Sequence, residues 1–387
     1  MAMKVGLSGV FWDLEATGSG QYVRHLLRAL RELMPPGDCT LLLPYSSGSG
    51  PPPATAGPWR MCFLRTPFDG LSEDLAKVWF EQVSFPRACA RLGMDVAHVP
   101  YFAPPLWPQV PTVVTIHDLI PLILPEYRGS PWVRGYMRLV SKAAHKAALV
   151  LTDSQASARD IVRILGIPPE RLRVIYLAAD AIYRPLAPEE WRPICVRLGL
   201  PSRYLLYLGG FDRRKNLVGL LAAFALARER LKGISLVIAG RLPAGDSAFA
   251  PDPRPIARRL GLEDSVYYTG WVAEGDKPAL YAGAEAFLFP SYYEGFGLPV
   301  LEAISCGTPV IVGGGSSLEE VAGPGGLVVP PEDVSALAEA MTRLVHEPEL
   351  RQALSLKGRE HARNFSWLQT ARQTLAAYRE AMDTSRC

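Results

Sequence analysis

The chain has 387 residues, 49% hydrophobic and 20% charged, which is long enough for two domains with separate cores and too apolar for disorder. A formal net charge of +3 gives no ground for a nucleic-acid partner, since backbone binders concentrate Lys and Arg on one face. The six cysteines lack the paired spacing of a zinc site, no metal site is expected, and no long apolar run marks a signal peptide or membrane span, so a cytoplasmic protein with reduced thiols is expected.

Residues 4–8 read as a first strand, Thr17-Gly-Ser-Gly-Gln-Tyr22 as a glycine turn, and 20–33 as an amphipathic helix. As a dinucleotide fingerprint this turn is incomplete, because the full glycine spacing and the following acid are absent. Gly18 and Gly20 still let backbone approach a ligand closely. Residues 44–58, rich in Ser, Gly and Pro, read as a flexible surface excursion. A helical stretch is expected over 69–92, a short strand over 96–99 and a buried strand over 112–116, ending at His117-Asp118. The strand at 148–152 ends similarly at Asp153-Ser154, where a polar cap opens a helix over 156–165, and 173–175 supplies a further edge. These repeated changes from strand to helix predict an α/β domain to about Trp191. A lone histidine is more often structural than ligand-binding, but the strand-end position makes His117 a candidate. Its imidazole can donate to a hydroxyl without acting as a base, and Asp118 could orient it or cap the next turn. The first 195 residues carry 20 Lys and Arg against 17 Asp and Glu, a slight excess that admits an anionic acceptor or lipid surface.

The pattern then restarts. Residues 204–208 read as a strand, Gly209-Gly-Phe-Asp-Arg-Arg-Lys-Asn216 as a turn and 217–228 as a helix, with further strands over 236–239, 266–269, 286–289 and 310–312. Two strand-glycine-helix openings, about 200 residues apart, imply two similar sheets, and the cleft between them is the expected substrate site. Arg214 and Lys215 follow directly on a strand, where a nucleoside diphosphate needs positive charge: Arg grips two oxygens, Lys offers a mobile point charge. The run Phe289-Pro-Ser-Tyr-Tyr-Glu-Gly-Phe-Gly-Leu-Pro-Val-Leu-Glu302 joins a buried strand to a helix that Pro299 opens and that runs to about Cys306. Glu294 falls at the strand's open end, where doubly wound sheets bind ligands, and the helix-initial N–H groups at Gly297 and Leu298 suit a phosphate. No Asp-x-Asp pair at a strand end offers a divalent-metal clamp.

The Glu294-to-Glu302 run resembles the Glu-x7-Glu motif of retaining glycosyltransferase family 4, and the likeness extends over nearly the whole chain. It implies the GT-B architecture: α/β, two Rossmann-like domains with parallel sheets facing across a cleft. The expected parts are an acceptor-binding domain over 1–192, a nucleotide-sugar domain over 193–366 and a terminal helix over 367–387 that crosses back to the first domain. The resemblance implies that Lys215 binds the diphosphate with Arg214 as a second contact, that Glu294 and His117 touch the transferred sugar, and that Glu302 accepts from the nucleotide ribose. Gly297 and Leu298 would add backbone contacts to the distal phosphate, and Gly18 and Gly20 would lie in a loop closing over donor and acceptor. Many relatives carry Arg directly after the glycine matching Gly209; here Gly210 stands there, and either Arg213 or Arg214 must supply the charge.

Three segments, 209–216, 175–180 and 314–323, look most like bacterial mannosyltransferases that use GDP-mannose in surface-polysaccharide assembly, although Glu319 replaces a proline common there. The implied reaction is retaining transfer of a hexosyl group, mannose first and a UDP-glucose-type donor second, to a glycan or a polyprenyl-diphosphate-linked saccharide. No separate cofactor is implied, and peripheral contact with the inner face of a membrane is. A sugar-nucleotide epimerase, a non-enzymatic nucleotide-sugar sensor and an NAD-dependent dehydrogenase are the alternatives. An epimerase needs no acceptor, a sensor transfers nothing, and a dehydrogenase would bind NAD.

Overall fold

The computed structural model describes residues 3–14, 17–45 and 59–384, which form two compact units, one of residues up to Leu177 together with those from Trp367 onward and the other Ala178–Ser366. The excursion expected over 44–58 falls, from residue 46 on, outside the described residues.

The first unit is built on β1 (Val5–Ser8), β2 (Cys39–Pro44), β3 (Arg60–Leu64), β4 (Val96–Val99), β5 (Thr112–Thr115), β6 (Leu149–Thr152) and β7 (Leu172–Val174), all parallel, in the order β3-β2-β1-β4-β5-β6-β7. The central strands are buried on both faces, as parallel sheets covered by helices require, and so appear in the sequence as mainly apolar runs. β3 is an edge strand of mixed burial, and although Met61 to Leu64 are apolar it is not among the strands expected from sequence. The helix expected over 69–92 is three consecutive pieces, Glu73–Trp79, a wider π turn Phe80–Ser84, and Phe85–Arg91. Pro86, which has no N–H to give, follows the wide turn, where the regular ladder is already interrupted. Phe80 and Phe85 pack with Leu42, Val114, Ile116 and Val150 to form the core on that side.

The second unit has β8 (Tyr204–Leu208), β9 (Ser235–Ala239), β10 (Val266–Gly270), β11 (Ala286–Phe289), β12 (Val310–Gly313) and β13 (Gly326–Val329), again all parallel, ordered β10-β9-β8-β11-β12-β13. Strand order reverses between β8 and β11, so the crevice outside the carboxyl ends of these two strands is where such a sheet takes a ligand.

Residues 178–192, read from sequence as the end of the first domain, pack in the second unit. The Tyr183 hydroxyl donates to Glu274, and the helix Pro188–Arg197 places the Cys195 thiol 3.6 Å from both the Tyr204 hydroxyl and the Ala279 carbonyl. The terminal helix Trp367–Thr384 belongs with the first unit. Thr370 Oγ1 donates to the Tyr176 carbonyl at 2.7 Å, Arg173 pairs with Glu380, and the buried Tyr378 hydroxyl lies 2.7 Å from His98 Nδ1. Burial pushes the His98 pKa down to about 3, so this ring is a neutral link between helix and sheet.

Candidate active site

In the second unit the turn after β8 brings Asp212, Arg214 and Lys215 to the point where strand order reverses. A short 3-10 turn, Arg213–Lys215, ends at Asn216, which alone among the described non-glycine residues has positive φ, 57°. Asn216 tolerates that left-handed conformation because its side chain bonds locally, accepting from the Gly219 N–H at 3.2 Å and so capping the helix Leu217–Leu226. Its amide also donates to the carbonyls of Pro290, at 3.2 Å, and Pro331, at 2.6 Å. The Tyr292 N–H donates to the Arg214 carbonyl at 2.8 Å, so the loops after β8 and β11 are laced together by backbone and side chain.

That lacing sets Glu294 against both cations. Lys215 Nζ is 2.7 Å from Glu294 Oε1 and Arg214 Nη1 is 2.5 Å from Oε2, while Arg214 Nη1 also donates to the Tyr293 carbonyl at 2.8 Å. Lys215 Nζ lies 4.7 Å from the centre of the Phe289 ring. Burial raises the cost of an ionised Glu294, but Lys215 and Arg214 outweigh it and hold the carboxyl below its ordinary range. Arg214 Nε also lies 3.4 Å from Asp212 Oδ1, so two cations and two carboxylates balance in this cluster, and a diphosphate would compete with the acids for Arg214 and Lys215. Arg213 is exposed and its backbone N–H bonds to Phe249, so Arg214 is the arginine that reaches this cluster.

The Glu294–Phe296 backbone is held from the far side by Ser317, whose buried hydroxyl lies 2.9 Å from the Glu294 carbonyl and 3.0 Å from that of Phe296. Gly297 has φ 97° at the N-cap of the helix Leu298–Ser305, and a Cβ there would come within 2.4 Å of Leu318 Cδ2. Glycine is required by the backbone conformation, and a methyl there would also push the end of the Leu318 side chain aside. Gly297 and Leu298 occupy the start of this helix, where backbone N–H groups have no partner within the helix. Tyr292 is 43% exposed beside this turn, whereas Phe296 is buried and packs edge-on against Phe365. Glu319 accepts from the Gly315 N–H at 2.6 Å, holding the turn after β12 where a proline could not.

Glu302 lies one helical turn on and is nearly fully buried, with Oε2 accepting from the Tyr281 hydroxyl at 2.9 Å. Burial pushes its pKa up to about 7, with Lys277 and Tyr281 opposing the rise. The two acids of the motif are therefore unlike groups, one an ionised carboxylate among cations, the other a buried acid that is half protonated near neutrality.

In the first unit, Thr17 caps the helix Gly18–Leu30, its Oγ1 accepting from the Gly20 N–H at 3.1 Å. Gly20 is needed by the chain itself, since a Cβ there would lie 2.1 Å from the Leu14 carbonyl oxygen, whereas nothing lies within 4 Å of a Cβ at Gly18. His117 follows β5. Its Nδ1 is 2.5 Å from Asp153 Oδ2 and its Nε2 is 3.1 Å from the Pro100 carbonyl. Asp118 instead accepts from the Ile120 N–H at 3.0 Å and serves the next turn. The sequence reading missed Asp153 as the partner of His117, along with the Ser317 and Asn216 clamps; the only advance signal for Asp153 was a polar residue at the end of an apolar strand.

The paired parallel α/β units define the GT-B fold of glycosyltransferases, shared with sucrose-phosphate synthase of Thermosynechococcus elongatus at a TM-score of 0.80 and 24% identity, over 99% of this chain and 100% of that one. Residues 16–181 match the family described as Glycosyltransferase Family 4 and residues 197–361 that described as Glycosyl transferases group 1. The chain is 35% identical to O-antigen chain mannosyltransferase B of Escherichia coli over 269 residues, 69% of this chain and 70% of that relative. It is 29% identical to MMP alpha-(1->4)-mannosyltransferase of Mycolicibacterium hassiacum over 98% of each chain. The chain belongs to glycosyltransferase family 4, and it is an enzyme of the glycosyltransferase class.

Proposed function

We propose that this enzyme transfers a mannosyl group from GDP-mannose to a hydroxyl of a glycan or a polyprenyl-diphosphate-linked saccharide, with retention of the α configuration. The observation that carries the reading is the cluster of Arg214, Lys215 and Glu294 at the reversal point of the second sheet, taken together with relatives named as mannosyltransferases. Arg214 and Lys215, helped by the N–H groups of Gly297 and Leu298, neutralise charge that grows on the diphosphate as its bond to the sugar breaks, without a divalent metal. Glu294, released in part from its two cations, accepts from sugar hydroxyls, and Glu302 accepts from the ribose. His117 and the Gly18–Gly20 turn of the first unit serve the reacting sugar and the acceptor. In the retaining step the acceptor oxygen bonds to the anomeric carbon on the face the diphosphate leaves, and the acceptor proton passes to a phosphate oxygen. Among the described residues no helix is long and apolar enough to cross a membrane, so a lipid-linked acceptor would be met by peripheral contact at the cytoplasmic face.

The test is a donor panel of GDP-mannose, GDP-glucose, UDP-glucose and UDP-N-acetylglucosamine against glycan and lipid-linked acceptors, with and without a chelator. GDP-mannose should give the product, chelator or not. A preference for UDP-glucose overturns the donor; donor turnover to an isomer without acceptor indicates epimerisation.

A further inference from the structure

His117 is held at three points by one short segment and its neighbours. Asp153 Oδ2 takes Nδ1 at 2.5 Å, the Pro100 carbonyl takes Nε2 at 3.1 Å, and Ser157 Oγ, a turn beyond Asp153, donates to the His117 carbonyl at 2.9 Å. Both groups facing the ring nitrogens are acceptors: a carboxylate and a backbone carbonyl, neither with a proton to give. A neutral imidazole has one N–H and would leave one of these contacts as two facing lone pairs. With Asp153 as a carboxylate, the doubly protonated ring satisfies both.

We infer that Asp153 is a positioning residue that holds His117 as an imidazolium, so that the ring offers a fixed positive charge and a donor at Nε2 and is not available as a proton acceptor. The longer contact, to Pro100, is the one a sugar hydroxyl can replace, and Asp153 keeps the ring's plane while that exchange happens. The groups around the ring agree. Burial, the largest single influence, opposes the charged form, but Asp153, Asp118 and the Pro100 carbonyl together outweigh it, and the pKa of His117 is raised. Tyr22 stands edge-on with ring centres 5.0 Å apart, its own pKa raised by burial, and His98 is neutral, so neither places a competing cation there. Asp153 is itself buried and paired to this ring, which makes the two a unit.

The protonation state is tested on the substrate-free full-length chain, so its failure is distinct from failure of the donor assignment; only the kinetic arm rests on the proposed transfer reaction. With 15N-labelled histidine and His117 assigned by its loss in His117→Gln, both ring nitrogens should carry protons at about pH 7.5, a unit above the ordinary histidine midpoint near 6.5. Asp153→Asn should lower that midpoint by about one unit or more and reduce kcat roughly tenfold, with donor KM changed less than about twofold. In the His117→Gln background the same substitution should cost nothing further. A neutral His117 in the wild-type protein at that pH overturns the inference even if Asp153→Asn does not fold, and so does an equal loss from Asp153→Asn with and without His117.

Discussion

Lys215 Nζ lies 2.7 Å from Glu294 Oε1, although the two residues are on different loops and 79 positions apart in the chain. Asn216 ties the first loop to the carbonyl of Pro290 in the second, which holds the two charges together. On the proposed function, a diphosphate entering this cluster would draw Lys215 and Arg214 away from Glu294, and a sugar hydroxyl would then replace them on the carboxylate.

Lys215→Ala should weaken binding of GDP by about 1 to 3 kcal/mol, the range for a charged hydrogen bond, as read by calorimetry. Arg214 remains to pair Glu294, so the melting temperature should fall less than it does in Lys215→Ala/Arg214→Ala, where the buried carboxylate loses both partners. Unchanged GDP affinity in a folded Lys215→Ala protein contradicts the phosphate assignment.

Glu294→Gln removes the carboxylate that Lys215 and Arg214 share and leaves Asp212 as the acid beside them. Because the folded-state pKa of Glu294 is depressed, its stabilisation is present above the unfolded value near 4.5 and is lost as pH falls through the folded one. Wild-type stability should therefore drop more steeply than that of Glu294→Gln below about pH 4.5. Parallel denaturation curves for the two proteins across that window would rule the depressed carboxylate out.

Glu302 has the opposite sign. Its folded pKa of about 7 lies above the unfolded value, so it stabilises the protein fully below about 4.5 and progressively less as pH rises through 7. Glu302→Gln mimics the protonated acid and should flatten the wild-type decline between these limits, while weakening nucleoside binding at pH 8. Urea denaturation at four or five pH values checks it; an equally steep decline in the variant would show that another group titrates.

Gly18→Ala should fold as well as wild type, since nothing stands within 4 Å of the added methyl, so any loss of transfer reports approach of a ligand. Gly20→Ala should cost at least about 2 kcal/mol of stability, because the obstacle is the backbone oxygen of Leu14 and cannot turn aside. If Gly18→Ala keeps full transfer activity, the turn has no contact with substrate there.

Much of this was readable in advance for a physical reason. Strands buried on both faces, such as Tyr204–Leu208 and Ala286–Phe289, write themselves as apolar runs, and the residues that follow them must line the open end of the sheet. Arg214, Lys215 and Glu294 were found that way. The edge strand Gly326–Val329 is partly exposed, and its apolar run is only three residues, Leu327 to Val329, between glycine and proline, too short to stand out. The change of unit at Leu177 was also hidden, because Tyr183 and Cys195 are committed to the second unit by contacts with Glu274, Tyr204 and Ala279, far away in sequence. Asp153 was seen as a helix-cap neighbour, but its bond to His117 depends on β5 and β6 being adjacent, which no local pattern states.

The most direct measurement is product analysis after incubation of the enzyme with GDP-[13C]mannose and a mannose-terminated acceptor in the presence of a chelator. The account predicts release of GDP in equal amount to a new α-linked [13C]mannosyl residue, with both reduced together in Lys215→Ala. A β-linked product, or transfer that stops with the chelator and returns with magnesium, would contradict it.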